Sequence, residues 1–168
     1  MIARALLVAA AAACSAAVLG GCSPTPPPAA ALEIEVGGEG GEPTTLGAYG
    51  GTALVVNLWA TWCAPCIAEM PAFDAVAATI EDGGHIAVLG VNVGDSADEA
   101  LAFATDLGVG YPILTDPDGR LSAALGVTGL PATAFISPAG EVVEVHAGAY
   151  TRAELETAIA EHLVGTAP

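Results

Sequence analysis

The stretch WATWCAPC at residues 59–66 constrains this chain more than any other part of its sequence. A continuous apolar run, Ala53–Trp59, leads into it, and such a run is typical of a strand that is covered on both faces. Residues 67–80 follow, with Met70 and Phe73 at the spacing of one helical face. The two cysteines are therefore expected at the point where a buried strand ends and a helix begins.

The spacing of Cys63 and Cys66 allows either a small disulfide ring or a share in a metal site. At the first turn of a helix, the free N–H groups and the positive end of the helix dipole favour the thiolate of the outer cysteine, Cys63. Pro65 suits this position, because the N–H that proline lacks would be unpaired in the first turn in any case. Strand, cysteine pair and helix together indicate redox chemistry more specifically than the cysteine spacing alone.

The N-terminus has the composition of an export signal. Arg4 precedes an Ala/Leu/Val run that ends at Leu19, and small residues follow it. The run is too short and too rich in alanine to predict a permanent membrane span. Residues 19–22 (LGGC) resemble the bacterial lipobox, in which the signal is cleaved before a cysteine, here Cys22, that then carries lipid. The alternative is an ordinary cleaved signal with an incidental cysteine.

These features divide the chain into three parts. We predict a signal peptide of the lipoprotein type at residues 1–21 and a Pro/Ala-rich tether at 22–31, whose prolines favour a semi-extended chain. Residues 32–168 are long enough for one domain. The predicted protein is therefore a single domain that is anchored to the cell membrane on its outer side.

Cysteine usage narrows the chemistry further. Of the four cysteines, Cys14 falls in the leader and Cys22 would be blocked by lipid, which leaves Cys63 and Cys66. A closed zinc site needs about four ligands, and no second cysteine pair exists. The three histidines have no ligand-like spacing: His85, His146 and His162. We therefore expect no metal and no cofactor beyond a redox-active disulfide.

The charge balance restricts the partners. The formal net charge is −16 at pH 7, with 19 acidic residues against three basic ones. Nucleic-acid binding relies on Lys and Arg to neutralise phosphates, so this composition argues against it. An acidic surface that keeps an exported protein soluble is the simplest interpretation, and selection of basic partners is the alternative.

Downstream of the cysteines, the pattern alternates helices and strands. Pro71 is expected to kink the first helix, and residues 82–84 (DGG) to end it. The apolar run at 86–93 predicts a strand parallel to the first. A capping box begins at Ser96 and a typical C-terminal stop stands at Gly108, so a helix is expected between them. Its inward-facing residues are expected to be Ala100, Phe103, Ala104 and Leu107.

Shorter patterns complete the expected sheet. The alternating residues 32–36 (LEIEV) predict an edge strand or a hairpin arm. The next predicted elements are a brief strand at 111–114, a short helix at 121–125, a strand ending at Ile136 and a half-exposed antiparallel strand at 141–146. A last helix is predicted from its cap at Thr151 to about Leu163, and its inward-facing residues are expected to be Leu155, Ile159 and Leu163. This order predicts an α/β fold in which one mixed central sheet lies between helices.

Three segments identify a family resemblance. Residues 54–73 (LVVNLWATWCAPCIAEMPAF), 91–94 (VNVG) and 129–136 (GLPATAFI) resemble the TlpA/ResA-type extracytoplasmic thioredoxin-like proteins, also called redoxins. The similarity extends over about residues 31–164. It implies a thioredoxin fold with a TlpA-like βα insertion, here near residues 82–110.

The resemblance also implies roles for individual residues. Cys63 would be the attacking thiol and Cys66 the resolving thiol. Pro131 would be a cis-proline beside the disulfide that helps to hold the substrate, and Glu69 would be the active-site carboxylate. The substrate-binding surface would include Trp62, Ala64, Pro65 and Leu130.

The residues themselves bear on two of these roles. Glu69 lies three positions after Cys66, near the apolar stripe, where partial desolvation would raise its pKa towards a range useful for proton transfer; a solvent-exposed glutamate is the alternative. Asn57 stands six residues before Cys63, where cytoplasmic thioredoxins bury an aspartate, and an amide accepts no proton. Trp59 is expected in the core and Trp62 at an apolar rim on which a substrate docks.

The predicted activity is thiol–disulfide exchange on exported proteins. Residues 64–65 (Ala-Pro) include no histidine to stabilise the outer thiolate further, which favours a reductant over an oxidant and requires a membrane electron donor. Maturation of c-type cytochromes and general repair of exported disulfides are the tasks that the resemblance implies. The alternatives are a disulfide-forming oxidase, a copper(I)-carrying chaperone and a peroxidase. A peroxidase would need an arginine near its reactive cysteine, and no motif links Arg120 or Arg152 to the cysteines.

Overall fold

The computed structural model describes residues 28–80 and 85–164. The predicted signal peptide, the lipid-attachment residue Cys22, most of the tether at 22–31 and the turn at 82–84 lie outside the described residues. In the part of the chain that is described, no helix is both long and apolar enough to cross a membrane.

One mixed sheet organises the domain. Its strands are β1 (Val36–Gly37), β2 (Pro43–Thr44), β3 (Ala53–Trp59), β4 (Ile86–Val93), β5 (Ile113–Asp116), β6 (Ala132–Ile136) and β7 (Val142–Ala147). The helices are α1 (Pro28–Ala31), α2 (Ala64–Ile80), α3 (Ala97–Leu107), α4 (Arg120–Ala124) and α5 (Arg152–His162). The strand order is β2-β1-β5-β4-β3-β6-β7, with β3 parallel to β4 and antiparallel to β6. The predicted mixed sheet between helices is confirmed.

The central strand β3 supplies side chains to two cores, because successive residues of a strand point to opposite faces. Val55 and Trp59 pack with residues of α2, α3 and α5 on one face. Leu54 and Val56 pack with residues of α1 and α4 on the other. By the same alternation, Asn57 lies on the face of α2, where it is completely buried.

The helix α2 begins directly after Cys63 and continues through Pro71 to Ile80. One side of it is buried against the sheet, through Cys66, Glu69, Met70, Phe73, Val76 and Ala77. Because β3 ends at Trp59, the loop at 60–63 lies at the carboxyl end of the central strands, and the cysteines lie there with it. The kink that we predict at Pro71 stays a prediction.

The strand β5 pairs parallel with β4 and extends the sheet on that side. The helix α3 connects these two strands. The Ser96 hydroxyl accepts the Glu99 N–H at 3.3 Å at the start of α3, and Gly108 ends the helix in the left-handed region with a φ of 73°. The N-cap at Ser96 and the stop at Gly108 are confirmed, while the full reciprocal capping box is described at Thr151 and Glu154. The insertion predicted near residues 82–110 stays a prediction.

Two local predictions were wrong. Leu107 was expected inside, but it is 44% exposed at the last residue of α3, where the helix leaves the core. The LEIEV segment is not a strand over 32–36: only Val36 belongs to β1, and the Ile34 N–H donates to the Ala31 carbonyl in a turn after α1. Leu32 is 8% exposed and Ile34 is partly buried although neither lies in a strand, so alternation alone was a misleading signal.

Gly90 on β4 creates space for a neighbouring ring. It pairs with Asn57 on β3 and with Ile113 on β5. A Cβ atom at this position would lie 2.6 Å from Ile113 Cδ1, 3.0 Å from Tyr111 Cε2 and 3.3 Å from Trp59 Nε1. The absence of a side chain therefore lets the Tyr111 ring lie across β4 towards Asn57.

We expect Gly90→Ala to lower the free energy of unfolding by about 1–3 kcal/mol, because overpacking displaces a rigid ring as well as a flexible side chain. Urea unfolding measures the change. Gly129→Ala is the matched control, since no atom lies within 4 Å of a Cβ built there. Equal stability of the two variants would contradict the packing argument.

Candidate functional site: a buried disulfide and a buried carboxyl

The two cysteines form a disulfide across the first turn of α2. The Cα atoms of Cys63 and Cys66 are 5.3 Å apart, and the Cys66 N–H donates to Cys63 Sγ at 3.3 Å. Cys63 is 4% exposed, whereas Cys66 has no exposed surface. A substrate sulfur can therefore reach Cys63, and the same N–H group is placed to stabilise a Cys63 thiolate once the pair is reduced.

The surface around the disulfide is apolar and partly open. Trp62 is 71% exposed, and Ala64 and Pro65 are exposed beside it. Trp59, in contrast, is completely buried, with its ring centroid 6.1 Å from that of Phe103. The two tryptophans thus occupy the positions predicted for them, one in the core and one at the rim.

Pro131 lies at the same end of the sheet as the cysteines. The Leu130–Pro131 peptide bond is cis. The next residue, Ala132, pairs with Leu58 near the end of β3, which places this peptide close to the loop at 60–63. Leu130 is half-buried and packs against the core that contains both cysteines. The structure therefore brings together the residues that were expected to hold a substrate.

Glu69 is buried below the cysteines, one turn further along α2, with 3% of its surface exposed. Two donors contact its carboxyl group. Asn57 Nδ2 donates to Oε1 at 2.8 Å, and the Tyr150 backbone N–H donates to Oε2 at 2.9 Å. The alternative of a solvent-exposed helix glutamate was wrong.

Burial raises the pKa of Glu69 from its ordinary 4.5 to about 7, because an ionised carboxylate loses its hydration in the core. The N–H of Tyr150 and the amide of Asn57 stabilise the charged form and partly oppose this shift. Glu69 can therefore take up or release a proton near neutral pH, which is the property that proton transfer requires.

The sequence did not predict the partners of this carboxyl group. Asn57 was interpreted as a residue unable to accept a proton, with a hydrogen bond to neighbouring backbone as the alternative, whereas its described partners are side chains. It also accepts a hydrogen bond from the Tyr111 hydroxyl at 3.4 Å, across 54 residues of chain. Tyr150 reaches Glu69 across 81 residues. No local pattern signals contacts of this range, because they depend on the register of the sheet.

A second buried carboxyl group holds the loop before Cys63. Asp95 Oδ2 accepts the Thr61 N–H at 2.8 Å and the Asn92 side-chain amide at 2.8 Å. The Asp95 N–H donates back to Asn92 Oδ1 at 3.3 Å. Asp95 had no predicted role, and here its carboxyl group fixes the backbone that presents Trp62.

The fold and this site define a class: thioredoxin-fold proteins that carry a cysteine pair at the start of a helix and a cis-proline at the same edge of the sheet. The chain belongs to the AhpC/TSA family, which matches residues 27–145. The redoxin resemblance inferred from residues 54–73 is confirmed.

Individual relatives agree with this assignment. The thiol-disulfide oxidoreductase ResA of Geobacillus kaustophilus is 33% identical over 116 residues, which cover 69% of this chain and 66% of that protein. The thiol:disulfide interchange protein HelX of Rhodobacter capsulatus is 36% identical over 118 residues, or 70% of this chain and 64% of that protein. The match thus spans just under two thirds of the length of these relatives.

Solved structures agree on the fold. DsbF of MTB, solved in mixed oxidised and reduced forms, superimposes with a TM-score of 0.70 at 29% identity, covering 79% of this chain and 96% of that chain. A DsbF homologue from Corynebacterium diphtheriae has a TM-score of 0.66 at 28% identity, covering 76% of this chain and 83% of the other. The thioredoxin fold predicted from the sequence is confirmed.

The pKa of Glu69 predicts how stability depends on pH. The unfolded carboxyl group ionises near 4.5 and the folded one near 7, so the folded state binds more protons in between. Stability therefore falls as the pH rises through this window. We expect Glu69→Gln to remove about 2–3 kcal/mol of that fall between pH 4.5 and 8.

Urea unfolding of the oxidised protein at a series of pH values measures this slope. Glu99→Gln is the matched control, because Glu99 is exposed on α3. An unchanged slope in Glu69→Gln would mean that the carboxyl group is not desolvated in the folded protein.

Proposed function

We propose that this protein is an extracytoplasmic thiol–disulfide oxidoreductase that reduces disulfides of exported proteins through Cys63 and Cys66. The observation that carries the proposal is the asymmetry of the pair at the start of α2: Cys63 keeps 4% of its surface exposed beside an exposed tryptophan, and Cys66 keeps none. Attack from one sulfur and release by the other require that arrangement.

The proposed reaction begins with the reduced protein. The Cys63 thiolate attacks one sulfur of a substrate disulfide, which forms a mixed disulfide and releases the other substrate sulfur as a thiolate that takes up a proton. The Cys66 thiol then loses its proton, and its thiolate attacks Cys63 Sγ. The second substrate thiol leaves, so that the substrate gains two electrons and the Cys63–Cys66 disulfide forms.

Glu69 is the proposed acceptor of the Cys66 proton. It lies one helical turn beyond Cys66 on the same buried side of α2. Its pKa of about 7 allows it to hold a proton at one stage and release it at another at neutral pH. Asn57, which contacts it, cannot titrate, so Glu69 is the proton carrier of this pair.

We further propose the surroundings in which this reaction takes place. Trp62, Ala64, Pro65 and Leu130 contact the cysteine-containing substrate, and haem-attachment cysteines of c-type cytochromes are the substrate class that the resemblance suggests. A membrane protein resupplies electrons. The protein is held at the outer side of the cell membrane by lipid on Cys22, which the mass of the mature N-terminal peptide tests.

Substitution of Cys63 and substitution of Cys66 are expected to have different effects on the reaction. Reduced protein should accelerate the cleavage of insulin disulfides, and Cys63→Ser should abolish the acceleration. Cys66→Ser should instead accumulate mixed disulfides through Cys63, because the resolving sulfur is missing. Turbidity and non-reducing electrophoresis measure these outcomes. Insulin cleavage that Cys63→Ser leaves intact would contradict the assignment.

The direction of the reaction is tested separately. Equilibration with glutathione buffers should give a reduction potential in the range of thioredoxin rather than that of the strongly oxidising DsbA, about −270 mV against about −120 mV. The expected value follows from residues 64–65, which add no cation beside the Cys63 sulfur. A value near the oxidising end would support the disulfide-forming oxidase instead.

A further inference from the structure

The Asn57 amide lies between one group that accepts a hydrogen bond from it and another that donates one to it. Its Nδ2 donates to Glu69 Oε1 at 2.8 Å, while its Oδ1 accepts from the Tyr111 hydroxyl at 3.4 Å. An amide has one donor end and one acceptor end, and rotation by 180° exchanges them. The group on the far side of Asn57 therefore decides which end faces the carboxyl group.

We propose that the Tyr111 hydroxyl is a positioning group for Glu69, because it keeps the donor end of the Asn57 amide turned towards the carboxyl group. The inference rests on the proposed function of Glu69 as a proton carrier. Among the described hydrogen bonds, the Tyr111 hydroxyl contacts Asn57 and not the carboxyl group or the disulfide, so its hydrogen bond reaches Glu69 through the amide.

Tyr111 is suited to this task because its hydroxyl remains a donor. The residue is 3% exposed, and burial together with the nearby Glu69 and Asp74 carboxyl groups raises its pKa far above the ordinary 10.0. A buried O–H needs an acceptor, and within the described residues Asn57 Oδ1 supplies it. Rotation of the amide would turn an N–H towards the hydroxyl and leave the O–H without that acceptor.

The ring of Tyr111 is held by its packing. A Cβ on Gly90 would lie 3.0 Å from Tyr111 Cε2, so the ring rests directly against the backbone of β4. Gly90 pairs with Asn57 in the sheet, which aligns the ring with the amide. The hydroxyl is therefore fixed by the fold and does not need Glu69 to hold it.

The direction of the effect follows from the chemistry of the amide. With its donor end inward, Asn57 stabilises the ionised carboxylate. Without the Tyr111 hydroxyl, the amide is free to turn its oxygen inward, where it accepts a hydrogen bond from the O–H of the neutral carboxyl group and stabilises that form. Loss of the hydroxyl therefore raises the pH at which Glu69 ionises.

Other charged groups near the site remain in place when the hydroxyl is removed. On α2 this is Asp74, whereas Cys63 and Cys66 are joined in the disulfide of the oxidised protein and carry no charge. On the elements around Tyr150 they are Glu144, His146, Glu154 and Glu161. None of them is altered in Tyr111→Phe, so a change in the titration of Glu69 reports the hydroxyl.

The test follows the side-chain carboxyl carbon of Glu69 by NMR during a pH titration of the oxidised full chain, with the signal assigned by its loss in Glu69→Gln. Tyr111→Phe should raise the midpoint by about half a unit to one unit, as expected for one net hydrogen bond. Tyr150→Phe is the matched control and should leave the midpoint unchanged, because Tyr150 contacts Glu69 through its backbone N–H.

A double-variant comparison isolates the route through the amide. In an Asn57→Ala background, Tyr111→Phe should no longer move the midpoint of Glu69. An unchanged midpoint in Tyr111→Phe alone, or an equal shift with and without Asn57, would overturn the inference. If the unaltered protein did not accelerate insulin cleavage, the proposed function would be contradicted. The effect of Tyr111 on the titration of Glu69 would still be valid, since the titration requires no turnover.

Discussion

The site depends on one constraint, the burial of β3 on both faces and along both edges. Parallel pairing with β4 and antiparallel pairing with β6 leave this strand no freedom of register, because a shift by one residue would exchange its two cores. Asn57 therefore faces α2, and the loop at 60–63 lies at the end of the sheet where β3 ends. The cysteines need only follow that loop into the first turn of a helix.

The same constraint places a titratable group in the protein core. Glu69 is tolerated there because two N–H donors meet its carboxyl group, one from β3 and one from the segment before α5. Those donors, Asn57 and Tyr150, are far apart in the sequence, so the environment of the carboxyl group exists only when the sheet is assembled. Folding and proton affinity are consequently linked through a single side chain.

Much of this arrangement could be predicted from sequence, because its signals are local. The run of Ala53–Trp59, the cysteine spacing and the caps at Ser96 and Thr151 each specify structure within a few residues. The contact of Tyr111 with Asn57 has no such signal, since register alone brings these residues together. The prediction for the LEIEV segment failed for the converse reason: Leu32 is buried in a turn, so an apolar residue in an alternating pattern did not require a strand.

The contrast between the two tryptophans has a further consequence for studying the molecule in solution. Trp62 is 71% exposed, while Trp59 is completely enclosed. A collisional quencher such as iodide reaches only the first of these indoles, so their emission can be separated without any labelling. The protein thus carries one optical reporter of what approaches the disulfide and another of whether its core is intact.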